Sequence, residues 1–261
     1  MKKLLNALRF MTFIPFPGYK HADLTAAGKS ASFFPVAGLF IGGLLFLTAF
    51  AAGRFLSVLP AAAMVTVVWV IITGGLHLDG LADLADGIGG GWDTESRLRI
   101  MKDSSIGTYG ALALGVVLLL KTAFLYELID SRQIFLIFVP AAARGTQVAA
   151  IRIFKPARNE GFGYIFKSSV GTADAVKAAA VSVIAGTAFL GIYGIIIPAA
   201  SFLWILAAGK WISRRLGGLN GDAYGALCEL TEVLILILLI VLVNTPLNLT
   251  SGWIEWLSSF L

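Results

Sequence analysis

"SVLPAAAMVTVVWVIITGGLHLDGLADLADG" (residues 57–87) is an apolar run that ends abruptly in acid. Ser57–Gly75 carries no charge and is about the length of chain that crosses a bilayer as a helix. Directly after it come Asp79, Asp83 and Asp86. Carboxylates beside a membrane-grade segment are costly unless something compensates them. The first half of the stretch decides the fold class, and the second half points to a site.

The rest of the chain agrees with the first half. Of 261 residues, 58% are hydrophobic and 13% charged, against roughly 25% charged in a soluble domain. Mean hydropathy is +0.87. Candidate spans are Phe34–Gly53, Ser57–Gly75, Gly107–Tyr126, Gln133–Ile151, Ala178–Ile197, Ala199–Ile212 and Ala226–Val243, with a tight turn at Pro198. The reading is an all-α, polytopic integral membrane helical bundle of about seven transmembrane helices, with six as the alternative. It forms a single domain over 1–261. Residues 1–30 form an N-terminal interfacial segment, 76–106 an acidic cytoplasmic segment and 213–232 a second acidic segment. The start, "MKKLLNALRFMTFIPFPG", looks like a signal peptide, but Arg9 interrupts its apolar run and no small-residue cleavage site follows.

Lys and Arg set the expected orientation. With a cytoplasmic N-terminus, the inner connections hold Arg97, Arg99, Lys102, Arg152, Lys155, Arg158, Lys167, Lys177, Lys210, Arg214 and Arg215. The outer connections hold only Arg54 and Arg132. The C-terminal "GWIEWLSSFL" then reads as an outer interfacial aromatic segment. Net charge is +5, which in a membrane protein indicates basic loops and attraction of anionic substrates rather than nucleic acid. A single cysteine, Cys228, allows no internal disulfide. Glycines at four-residue spacing, Gly38/Gly42 and Gly217/Gly221/Gly225, read as close helix packing.

Three stretches carry the candidate chemistry. On a helix, Asp79, Asp83 and Asp86 fall within about 60° of one another. Converging carboxylates fit a hard cation such as Mg²⁺, which takes one or two of them together with substrate phosphates. The plain alternative is a solvated helix end whose aspartates pair with Arg97, Arg99 or Lys102. His77 is either a hydrogen-bonded helix-end residue or a ligand or proton acceptor. In "RIMKDSSIGTYG" (99–110), Lys102, Ser104, Ser105 and the backbone before the next helix are candidates to hold phosphate. In "LNGDAYGALCELTE" (219–232), Asp222 and Glu229 share a helical face, and the competing reading pairs the acids with Lys210, Arg214 or Arg215. Arg144 and Lys121, inside spans, need internal partners or an anionic ligand. The loop "RIFKPARNEGFGYIFKSS" suits an anionic, planar ligand.

Together "ALRFMTFIPFP", "FFPVAGLFIG", "GGLHLDGLADLADGIGG", "RIMKDSSIGTYG" and "GGLNGDAYGALCELTE" resemble the adenosylcobinamide-GDP ribazoletransferases, or cobalamin synthases, in order and along nearly the whole chain. The resemblance implies a bacterial or archaeal membrane enzyme that joins adenosylcobinamide-GDP to α-ribazole or α-ribazole 5′-phosphate, releasing GMP, with Mg²⁺ as cofactor. It implies metal ligation by Asp79, Asp83 and Asp86, with Asp222 as a further ligand. Candidate bases are Asp86, Glu229 and His77. Lys102, Ser104, Arg144, Arg9 and Gly221 are the expected substrate-binding residues. Membrane lipid is an expected partner, as are further copies of the chain or other enzymes of cobalamin assembly. The CDP-alcohol phosphotransferases are a mechanistic analogy only, since their A-R and distal D-x3-D are missing here. Two rivals stay open: a prenyltransferase releasing inorganic pyrophosphate, and a cation-coupled transporter with carboxylates in mid-span.

Overall fold

The computed structural model describes residues 2–16, 24–129 and 133–243. The C-terminal aromatic segment and Arg132 lie outside the described residues. Among the described residues the chain is all helix, apart from one isolated bridge between Pro156 and Leu219. In order, the helices are α1 (Lys2–Met11), α2 (Leu24–Gly28), α3 (Phe34–Ala52), α4 (Val58–Thr73), α5 (Leu76–Gly90), α6 (Thr94–Ile100), α7 (Thr108–Ile129), α8 (Val139–Ile153), α9 (Gly161–Ser169), α10 (Thr172–Leu190), α11 (Tyr193–Leu216) and α12 (Gly221–Val243). Short 3₁₀ turns at Ala31–Phe33 and Gln133–Ile137 lead into α3 and α8. By length and composition six helical segments can cross a membrane, and a seventh arises if α4 and α5 count as one bent span.

The bundle closes around α8. Every residue from Val139 to Ile151 is buried, and α8 packs against α3, α10, α11 and α12. Small residues permit the close approach. A Cβ on Gly38 would lie 2.5 Å from the Ala141 Cα, so α3 and α8 meet backbone to backbone. Gly217 is different: it ends α11 in the left-handed region, φ 75°, and is not a packing site.

Two expectations are corrected here. The turn before the sixth span is at Gly191 (φ 58°) and Ile192, not at Pro198. Pro198 lies buried inside α11, which runs on to Leu216. The span boundaries move to Thr172–Leu190 and Tyr193–Leu216 accordingly. Within the acidic segment 76–106, residues 76–90 are a helix of the bundle rather than a surface stretch. Gly74 and Gly75 both adopt positive φ, 60° and 68°, where residues with a Cβ are strained. The pair turns the chain by 91° between α4 and α5. Helix α5 then packs into the bundle beside α12 and α7. Leu78, Leu81 and Ala82 are buried, at the spacing of one helical face.

Candidate active site

Helices α5 and α12 cross at their acid-bearing ends because glycines face backbone there. A Cβ on Gly80 would come 2.8 Å from the Asp222 Cα, and one on Gly225 would come 3.2 Å from the His77 Cα. The crossing brings Asp222 to the acids of α5. Asp83 is within electrostatic reach of Asp222, Asp79 and Asp86, and Asp222 within reach of Asp79. Asp79 is exposed, and Asp83 and Asp222 are half-buried. Asn220 orients Asp222: its Nδ2 donates to Asp222 Oδ2 at 2.8 Å, while its Oδ1 accepts from Ala223 N and caps α12.

No cation compensates these three acids among the described residues. Arg97 donates instead to the carbonyls of Gly91, Trp92 and Arg215, and Lys102 pairs with Glu160 at 3.7 Å. Nor do the described residues gather three His, Cys, Asp or Glu side chains closely enough to enclose a metal. Asp79, Asp83 and Asp222 are instead carboxylates near one another at the α5–α12 crossing, with Asp79 exposed. That donor set fits Mg²⁺, which keeps waters and takes its remaining ligands from substrate phosphate.

Asp86 has a different task from the one expected. It is buried; Gly107 N donates to its Oδ2 at 2.7 Å and Gly110 N to its Oδ1 at 2.8 Å. Each oxygen accepts one backbone N–H in capping α7, so in this structure Asp86 holds the start of that helix. Glu229 and Arg144 belong to a separate ion-paired cluster. Lys121 Nζ lies 2.5 Å from Glu229 Oε2 and 2.6 Å from Glu232 Oε2, and Arg144 Nη1 lies 2.7 Å from Glu232 Oε1. All four side chains are buried. They neutralise one another within the bundle, about 10 Å along α12 from Asp222. Lys210, Arg214 and Arg215, the partners of the competing reading, take no part.

Two cavities meet at Asp222. The larger, about 410 Å³, is lined by Lys102, Arg158, Phe162, Tyr164, Asn220 and Asp222, among others. The smaller, about 160 Å³, is lined by His77, Asp79, Gln147, Asp222, Tyr224 and a set of phenylalanines. Gly221 and Phe162 line both.

A family model described as cobalamin-5-phosphate synthase (CobS) matches residues 3–240. Relatives named adenosylcobinamide-GDP ribazoletransferase match over most of their length. One from Roseiflexus sp. (strain RS-1) is 40% identical over 88% of this chain and 86% of its own. Another from Herpetosiphon aurantiacus is 38% identical over 94% and 98%, and one from Geotalea daltonii 38% over 90% and 95%. The chain belongs to the cobalamin-5-phosphate synthase family. No solved structure matches it.

As a cobalamin-5-phosphate synthase family member, the chain is a transferase of cobalamin synthesis with several membrane-grade helices. The remaining expected residues fall unevenly around its site. Lys102 and Gly221 line the larger cavity; Ser104, Arg144 and Arg9 line neither. Arg9 is half-buried on α1, whose next residue, Phe10, lines the smaller cavity. Asp103 is bonded to its own loop: the Ser105 N–H donates at 2.9 Å and holds the carboxyl below the usual range. His77 lines the smaller cavity, and its Nε2 lies 3.1 Å from Gln147 Nε2. Gln147 Nε2 also donates to the Tyr224 carbonyl, which fixes the amide. The His77 Nε2 then accepts, leaving its proton on Nδ1.

Sequence reasoning missed Gln147, Tyr224, Asn220 and the aromatic wall. A polar residue inside the α8 run was the available signal for Gln147. The basic, aromatic loop 152–169 does reach the site. Ala157 N and Leu219 N bond across to Leu219 O and Lys155 O, and Gly163 sits against Asn220. This holds Arg158, Phe162 and Tyr164 beside the larger cavity.

Proposed function

We propose that the chain transfers a phosphoryl-linked cobinamide from adenosylcobinamide-GDP to α-ribazole or α-ribazole 5′-phosphate, releasing GMP, with Mg²⁺ held at Asp79, Asp83 and Asp222. The observation that carries this reading is the position of Asp222. It lies in the shared wall of two cavities and belongs to a group of carboxylates with no paired cation among the described residues. A transfer between two large substrates needs two seats and a charged junction between them. In the reaction, an acceptor hydroxyl oxygen bonds to the cobinamide-side phosphorus as the bond from that phosphorus to the GMP oxygen breaks. The hydroxyl proton passes to a carboxylate of the same group. A bound Mg²⁺ supplies neutralisation of the diphosphate. The protein orients the two ends and keeps cations at the larger cavity, which is what such a transfer asks of it. Lys102 and Arg158, which line that cavity, would meet phosphate.

The same reading puts this mouth on the cytoplasmic side, supported by the Lys and Arg bias of its connections. The test is purified protein with the corrinoid donor, α-ribazole and Mg²⁺. GMP and a joined corrinoid are the expected products. Release of inorganic pyrophosphate instead would move the chain to prenyl-transfer chemistry.

A further inference from the structure

We infer that the smaller cavity seats the heteroaromatic base of the acceptor, with the Tyr224 hydroxyl and Gln147 Oε1 as its polar contacts. This assignment rests on the transfer reading above and adds the location of one substrate.

The walls select for a flat, apolar ring system. Phe10, Phe34 and Phe166 form a mutual cluster, with centroids 5.8 Å apart for Phe10–Phe34, 5.2 Å for Phe10–Phe166 and 6.0 Å for Phe34–Phe166. All three line the cavity. Aromatic walls favour offset and edge contacts with another ring. No lysine or arginine lines this cavity among the described residues, so a nucleoside diphosphate finds no countercharge in it. The larger neighbour has Lys102 and Arg158. A cavity of about 160 Å³ also suits a bicyclic base better than a corrin macrocycle.

Two polar atoms are left open. Tyr224 Oη and Gln147 Oε1 are buried and have no hydrogen-bond partner. Their residues are 3% and 4% exposed, so water does not serve them freely. A buried unsatisfied group costs about 1–3 kcal/mol, and a bound ligand that meets it recovers that cost. Both residues line the cavity, and a small side-chain adjustment on binding presents these atoms to a benzimidazole nucleoside. Its unsubstituted ring nitrogen accepts from the tyrosine O–H, and a sugar hydroxyl donates to the amide oxygen. Asp79 and Asp222 line the same cavity, so the sugar end meets the carboxylates where the bond forms.

The decisive variant is Tyr224→Phe. It deletes an unpartnered hydroxyl, so thermal stability in detergent holds or rises slightly. The KM for α-ribazole rises about 3- to 10-fold, the net worth of one hydrogen bond, with the KM for adenosylcobinamide-GDP unchanged. Equilibrium dialysis of α-ribazole alone shows the same loss. Ile151→Phe, which narrows the cavity, shifts the kcat/KM ratio toward an acceptor with unsubstituted benzimidazole over one with a dimethylated ring. That ratio is read within one preparation, so a partly misfolded fraction cancels. An unchanged acceptor KM in Tyr224→Phe, or a shift in donor KM instead, overturns the assignment while wild-type GMP release leaves the transfer reading standing. No GMP from wild-type protein overturns both.

Discussion

Gly107 donates its backbone N–H to Asp86 at 2.7 Å across 21 residues of sequence, so an acid of α5 caps the start of α7. Gly110 fills the second carboxylate oxygen, and the two glycines leave the room: a Cβ on Gly107 would sit 2.8 Å from the Asp86 Cγ. The site's acidic motif is therefore two devices on one helix. Asp79 and Asp83 face outward, and Asp86 joins two helices.

Asp86→Asn is expected to act first on stability. An amide nitrogen would replace one acceptor and oppose a backbone N–H. The cost is about 1–3 kcal/mol, read as a lower thermal midpoint in detergent. Residual activity should follow the folded fraction, with Mg²⁺ dependence unaltered. A variant with wild-type stability and no activity would return Asp86 to the chemistry.

Asp83→Asn and Asp222→Asn should behave in the opposite way. Neither acid is ion-paired among the described residues, and removing mutual repulsion at the crossing leaves the fold intact. Activity should fall by about 10²-fold or more, the scale on which electrostatic stabilisation of a transition state is felt. The apparent Mg²⁺ requirement should rise. Chelation by EDTA should abolish wild-type turnover and excess Mg²⁺ restore it. Full activity of Asp83→Asn at ordinary Mg²⁺ would remove the metal from these acids.

The buried quartet makes a prediction about charge balance. Lys121 and Arg144 face Glu229 and Glu232, two charges of each sign, and Lys121 Nζ also sits 4.2 Å from the Trp69 ring centroid. Lys121→Met strands a buried carboxylate, at about 3–5 kcal/mol. Adding Glu229→Gln restores neutrality and should recover most of the loss. A double-mutant cycle on the unfolding midpoint measures the coupling. Additive losses would show that the pair does not interact.

These relationships explain what was legible beforehand. The spans could be read because apolar length alone marks them, and the convergence of Asp79 and Asp83 because helical spacing alone places them. The quartet could not: Lys121 and Glu229 are 108 residues apart and Arg144 and Glu232 are 88 apart, so their pairing depends on which spans touch. That α5 packs into the bundle is not legible in the sequence, because its aspartates mask the buried face of Leu78, Leu81 and Ala82. The turn expected at Pro198 rests on proline breaking soluble helices. Within a bundle, neighbouring helices tolerate it, and Gly191 supplies the reversal. The smaller cavity draws on α1, α3, α5, α8, α9 and α12, an arrangement no local motif announces.

Lys102 gives the last prediction. It lines the larger cavity, and its contact with Glu160, 3.7 Å between two largely exposed side chains, contributes about 0–1 kcal/mol at most. Lys102→Ala should therefore leave the thermal midpoint within error. If the cavity receives the donor's diphosphate, the same change removes a countercharge from it, and the KM for adenosylcobinamide-GDP should rise several-fold. That effect should shrink as ionic strength increases, because exposed charges are screened. The KM for α-ribazole should stay constant, since Lys102 does not line the smaller cavity. Measuring both KM values across a salt series separates the outcomes. A donor KM indifferent to both lysine and salt would place the diphosphate elsewhere, and a shift in acceptor KM instead would exchange the two seats.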